Sequence, residues 1–152
     1  MIDLQVFMES FTAISFGLMA GIYFIFSNTV MKSLASVSDA HAAIVMVKIN
    51  NAILNPAFFL LFWGSGITAC LTIMNFLARD IPLIKIIGAT VFLIGSNLVT
   101  LVINVPLNKK LASNVYTNNS MDEFWNSYLK NWTRWNHVRT FCASLGFMLV
   151  VI

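Results

Sequence analysis

Six residues near the C-terminal end carry side chains whose chemistry and spacing belong together. At 100° per residue, Trp125, Tyr128, Trp132, Trp135, Asn136 and Arg139 share a stripe about 100° wide on one helix. Indole and phenol rings offer flat faces to a planar ligand. A guanidinium and a carboxamide offer donors to a negatively charged oxygen. The apolar run from Phe141 to Ile152 follows directly, and a guanidinium entering a hydrophobic phase is costly unless something uses it. Two readings fit the stripe: a pocket wall, or an interfacial aromatic belt with Arg139 snorkelling to phosphates. Arg139 lies closer to the apolar run than Arg134 and shares its face with Asn136, which favours an inward role. His137 falls about 150° from the stripe centre, where it suits a bond to a neighbouring helix as well as the role of a base.

The elements that must position these groups are membrane helices. The 152 residues are 59% hydrophobic and 10% charged, with a mean hydropathy of +0.81. Soluble domains carry about 25% charged residues, so this chain lacks the polar surface to sit in water. Its apolar residues fall in runs near the roughly 20 residues that a bilayer span needs. The expected architecture is all-α: one integral membrane domain, a polytopic four-helix bundle with spans at 6–26, 56–77, 82–105 and 132–152. The loops after spans one and three hold Lys32, Lys48, Lys109, Lys110, Lys130 and Arg134, against Arg79 and Lys85 on the other side. The positive-inside bias then places those loops in the cytoplasm and both termini outside it, in the cell membrane or, for a bacterial protein, the inner membrane. Scattered lysines beside spans are what topology requires, so nucleic acid is not an expected partner. Cys70 and Cys142 sit in separate apolar runs without a C-x-x-C pair and read as small buried hydrophobes.

Local signals refine the spans. Ala13, Gly17 and Gly21 repeat every fourth residue in span one and suit close helix packing. Asp39 is an expected cap for a short interfacial helix reaching about Leu54. Asn55 before Pro56 is an expected cap for span two. Arg79 to Pro82 reads as a tight turn, the segment from Lys109 to Asp122 as a polar loop, and Ser120 or Asp122 as the cap of the last helix.

This topology brings hydrophilic residues to one membrane depth. Ser27 and Asn28 end span one, Asn50, Asn51 and Asn55 precede span two, Asn104 and Asn108 end span three, and Trp132, Asn136, His137 and Arg139 begin span four. Each amide alone would cross-link helices for about 1 kcal/mol; together they suit one cavity within a bundle. Two histidines without a carboxylate at that depth do not make a zinc or di-iron ligand set, and no metal or other cofactor is expected. No phosphate loop, nucleophile elbow or dinucleotide fingerprint is present.

Four segments in order resemble the anthrone oxygenase-like family of small four-helix membrane proteins. They are Gly21 to Ser27, Ile49-Asn50 with Asn55-Pro56, Asn104-Val105-Pro106-Leu107-Asn108, and Trp132 to Arg139. Fungal members of that family are associated with oxidising anthrones to anthraquinones without a recognised metal or flavin. The resemblance implies a monooxygenase-type oxidoreductase acting on a planar phenolic or quinol-like molecule taken from the lipid. On that basis Trp132 and Trp135 would stack the substrate, Arg139 and Asn136 would stabilise its anion, and His137 would serve as base. Ser27, Asn50, Asn55, Asn104 and Asn108 would complete the pocket. A non-catalytic carrier of a quinone-like or lipid ligand, and a structural membrane subunit, stand as alternatives. A homo-oligomer is open.

Overall fold

The computed structural model describes residues 4–75, 81–115 and 121–152, and they form five helical rods. They are α1 (Leu4–Leu34), α2 (Asp39–Ile53), α3 (Pro56–Met74), α4 (Leu83–Val115) and α5 (Met121–Val151). No strand occurs among the described residues. Three rods, α1, α3 and α4, are long and apolar enough to cross a membrane. The fourth expected span matches them in length but not in apolarity, because Asn136, His137 and Arg139 interrupt its hydrophobic run.

Two helix starts show how the sequence sets these rods. Asn55 is extended, its side chain accepts from the Phe58 amide, and Pro56 takes the first helical position, where a missing N–H costs nothing. At α2 the cap is Ser38, not Asp39. Asp39 is instead the first helical residue, where its carboxylate meets the positive end of the helix and accepts from Asn126 Nδ2 at 2.9 Å.

The segment from Lys109 onward, expected to be loop, continues as helix to Val115. Pro106 would normally kink the chain, since its ring meets the carbonyl four residues back. A widened turn over Thr100–Asn104 lies just upstream and has already spread that part of the hydrogen-bond ladder. Asn97, Thr100, Asn104 and Asn108 therefore stay on one continuous rod. The expected features at Arg79, Asp80 and Ser120 lie outside the described residues.

α5 packs against α1 and α4, while α3 packs against the same two rods. Two apolar clusters result. One joins Phe16, Met19 and Tyr23 of α1 to Phe62, Ala69, Phe92 and Ala143, with the Phe16 and Phe92 rings stacked at 3.5 Å. The other gathers Met31 and Leu34, the α2 face Ala42, Ala43, Met46 and Val47, and Leu111, Trp125, Tyr128 and Trp132. Between them on three rods lie buried Ser27 on α1, Asn97, Thr100 and Asn104 on α4, and Asn136 and Arg139 on α5. The outer surface carries Leu18, Phe24, Leu60, Trp63, Ile67, Ile94, Val102 and Phe141, as apolar as the interior, which suits hydrocarbon and not water.

Close approach of rods does not follow the small-residue stripe of α1 throughout. A Cβ at Gly17 would touch the Phe147 ring at 3.3 Å, but one at Gly21 would meet nothing within 4 Å. The tight crossing is α4 on α5. A Cβ at Gly146 would lie 2.8 Å from Phe92 Cβ and 2.9 Å from the Gly88 carbonyl oxygen. Gly146→Ala is therefore expected to destabilise by about 1–3 kcal/mol, since backbone must move. Gly21→Ala is expected to stabilise by about 0.5–1 kcal/mol through helix propensity alone. Thermal unfolding in one detergent, compared with wild type, separates the two.

Candidate functional site

The polar layer opens into a cavity of about 220 Å³. Its buried end is lined by Tyr23, Thr100, Asn104, Trp132 and Arg139, and its mouth includes exposed Asn51, Leu54 and Lys109. Apolar walls come from Ile22 and Phe26 on α1, Val47 and Ile53 on α2, Phe58 on α3 and Val105 and Ala112 on α4. The widened turn at Phe26–Val30 in α1, and those at Leu93–Leu98 and Thr100–Asn104 in α4, all fall at this layer. Such turns recur at functional sites because they re-aim side chains that a regular helix would hold on its ladder.

Arg139 is the centre of the layer. It turns inward and is 5% exposed. One Nη donates to Thr100 Oγ1 at 3.2 Å, the other to Asn136 Oδ1 at 2.6 Å, and Nε has no partner. The guanidinium carbon lies 4.5 Å from the Tyr23 ring centre and 5.0 Å from that of Trp132. Cation–π contacts are worth about 0.5–2 kcal/mol each, whereas desolvating the charge costs several kcal/mol. Every oxygen that receives it is neutral, and among the described residues no Asp or Glu lines the cavity. The arrangement lacks one negative charge.

Asn136 is a clamp, not a cavity wall. Its Nδ2 donates to the Tyr23 carbonyl at 2.8 Å and to Ser27 Oγ at 2.7 Å, so α1 holds the amide that holds Arg139. Ser27 also shares a hydrogen bond with Thr140 at 2.9 Å. Asn108 is a second clamp. Its Oδ1 accepts from the Tyr128 hydroxyl and Trp132 Nε1, both at 2.8 Å, while its Nδ2 donates to Asn50 Oδ1 at 3.1 Å. This fixes the Trp132 ring beside the guanidinium. Asn104 donates weakly to the Trp132 carbonyl, at 3.4 Å, leaving its Oδ1 unpartnered like Asn50 Nδ2.

The other expected site residues lie elsewhere. Asn55 is exposed and occupied in capping α3. Trp135 is half-buried and does not line the cavity. His137 is exposed on the outer face of α5, on the side away from Arg139. The aromatic stripe is neither a continuous pocket wall nor a lipid-facing belt. Trp125 and Tyr128 stack within the protein, their rings 5.5 Å apart, and of the stripe's rings only Trp132 reaches the cavity. Tyr23 and Thr100 are buried wall residues outside the expected set, and Tyr23 had a signal in the sequence. Its signal was its place four residues before Ser27, on the same helix face. Among the described residues, no group of three or more His, Cys, Asp or Glu side chains is placed to hold a metal ion.

A model of the anthrone oxygenase family matches residues 45–149. That stretch contains every cavity residue except those of α1. No curated protein and no solved structure shows a significant match.

Proposed function

The chain belongs to the anthrone oxygenase family, and from that premise we propose that it oxidises a planar phenolic or quinol-like molecule in the Arg139 cavity, with dioxygen as oxidant and no bound cofactor. The observation that carries this reading is the buried guanidinium facing a cavity that holds no carboxylate. A phenolate or enolate oxygen supplies the missing charge. The setting is pre-formed, so the anion is stabilised without reorganisation.

For an anthrone-type substrate the balance is simple. The activated C–H loses its proton and leaves an electron-rich anion shared between carbon and oxygen. That anion gives up electrons to dioxygen, and a carbon–oxygen bond forms. The peroxide anion so formed takes a proton back from water at the mouth, and loss of water from the resulting hydroperoxide leaves a carbonyl, so CH2 and O2 become C=O and H2O. Arg139 stabilises the anion, Tyr23 and Trp132 flank the substrate ring, and Asn136 and Asn108 position these groups. With His137 on the outer face, the acidity comes from charge stabilisation at Arg139, and water at the mouth accepts the proton and later returns it to the peroxide.

The same reading makes α5 the fourth span, completing a four-helix membrane bundle, and places α2 at the interface. Substrate then enters from the lipid beside exposed Leu54. A carrier that binds such a molecule without turnover is the second reading, favoured by the absence of a histidine or carboxylate from the cavity lining. Oxygen uptake by purified protein in lipid nanodiscs, supplied with anthrone or a hydroquinone, tests the choice. The oxidase reading expects uptake above that of empty nanodiscs, with His137→Ala within about twofold of wild type. Tight binding without uptake at any pH leaves only the carrier.

A further inference from the structure

The cavity holds a second cation that the chemistry above does not use. We propose that Lys109 at the mouth makes this site selective for aromatic substrates with a second anionic group, such as a carboxylate, at the end away from the reacting oxygen. The inference rests on the reading of Arg139 as the oxyanion partner.

Among the described residues, Lys109 and Arg139 are the two cations lining the cavity, and no acidic side chain lines it to neutralise either. They stand at opposite ends. Arg139 is buried and bonded to Thr100, whereas Lys109 is exposed and nine residues further along the same rod as Thr100. At 1.5 Å per residue that separation is about 13 Å along the helix axis. A flexible lysine reaches back over part of it, leaving roughly the long axis of two or three fused rings between the charges. The apolar part of the wall comes from Phe26, Val47, Phe58 and Ala112, and the amides of Asn104 and Asn108 lie on the rod between Thr100 and Lys109. An aromatic body with one anionic end at Arg139 and the other at Lys109 satisfies both cations. A neutral lipid tail satisfies neither. The volume of about 220 Å³ is below the roughly 300–1,000 Å³ usual for drug-sized ligands, which also favours a compact ring system.

Two fluorescent probes of matched shape test this: 2-naphthol, and 6-hydroxy-2-naphthoate, which adds a carboxylate at the far end. Binding is measured by titration into phosphatidylcholine nanodiscs containing the full chain, with empty nanodiscs subtracted. Wild type is expected to bind the carboxylate probe about fivefold more tightly than 2-naphthol, the size of a partly exposed ion pair. Lys109→Gln is expected to abolish that preference while leaving 2-naphthol binding unchanged. Lys110→Gln, an exposed neighbour outside the cavity lining, is expected to keep it. Equal affinity of wild type for both probes, with both lost in Arg139→Met, overturns the role of Lys109 and spares the Arg139 site. A preference that survives in Lys109→Gln also overturns it. If Arg139→Met binds both probes like wild type, the Arg139 reading fails as well.

Discussion

Arg139→Met is expected to leave the protein as stable as wild type, within about 1 kcal/mol, or more stable, while lowering kcat/KM about 10²- to 10³-fold. The rate loss is that of removing a pre-set oxyanion donor. The stability expectation follows from the charge. Arg139 donates to two neutral oxygens and keeps Nε unpaired, so its hydrogen bonds offset only part of a desolvation cost of several kcal/mol. Methionine fills similar space, flexes into irregular gaps and carries no charge. Against that gain, Asn136 Oδ1 loses its donor, worth about 1 kcal/mol. An arginine kept for folding would behave in the opposite way, with unfolding at lower temperature and activity lost in proportion. Thermal unfolding and oxygen uptake on one preparation distinguish the two.

Asn108→Leu is expected to have the largest structural effect of any single change at the site. One amide oxygen takes hydrogen bonds from Tyr128 and Trp132, and its nitrogen serves Asn50. Leucine strands two donors and one acceptor in or beside the buried cluster. Each stranded group costs about 1–3 kcal/mol, so the total is on the order of 3–9 kcal/mol, less whatever water recovers. The Trp132 ring also loses the bond that fixes it beside Arg139, so ligand affinity falls along with stability. Chemical unfolding in mixed micelles measures the first effect, and quenching of tryptophan fluorescence by 2-naphthol measures the second. A loss below about 1 kcal/mol would mean that these bonds do not hold the ring.

Much of this was legible in the residues, and the exceptions have physical causes. Length and apolarity marked the three rods α1, α3 and α4. Asn55-Pro56 marked the start of α3, because a cap and a proline act locally and need no tertiary knowledge. The inward turn of Arg139 was readable from its position on the Asn136 face. What escaped was whatever depends on a neighbouring rod. Gly21 looks like Gly17 in sequence, but only Gly17 meets a partner side chain. The crossing at Gly88 and Gly146 follows no four-residue repeat, since its two halves lie on different helices. The expected span stopped at 105, just before Pro106, because the widened turn that accommodates this proline has no sequence signature. Asn55 and His137 stand near polar neighbours in sequence, yet one is consumed as a cap and the other faces outward. Helical rotation separates residues that proximity in the chain suggests would cooperate.

The claim beneath all of these expectations is that the Arg139 cavity stabilises the anionic form of a bound phenol. Absorbance titration of 4-nitrophenol bound to the protein in nanodiscs under nitrogen measures that property without turnover. Wild type is expected to show the bound phenol ionising at least about one pH unit below the free compound, equivalent to 1.36 kcal/mol, with the shift gone in Arg139→Met. Ionisation at the same pH as free 4-nitrophenol, or a higher one, would contradict the account.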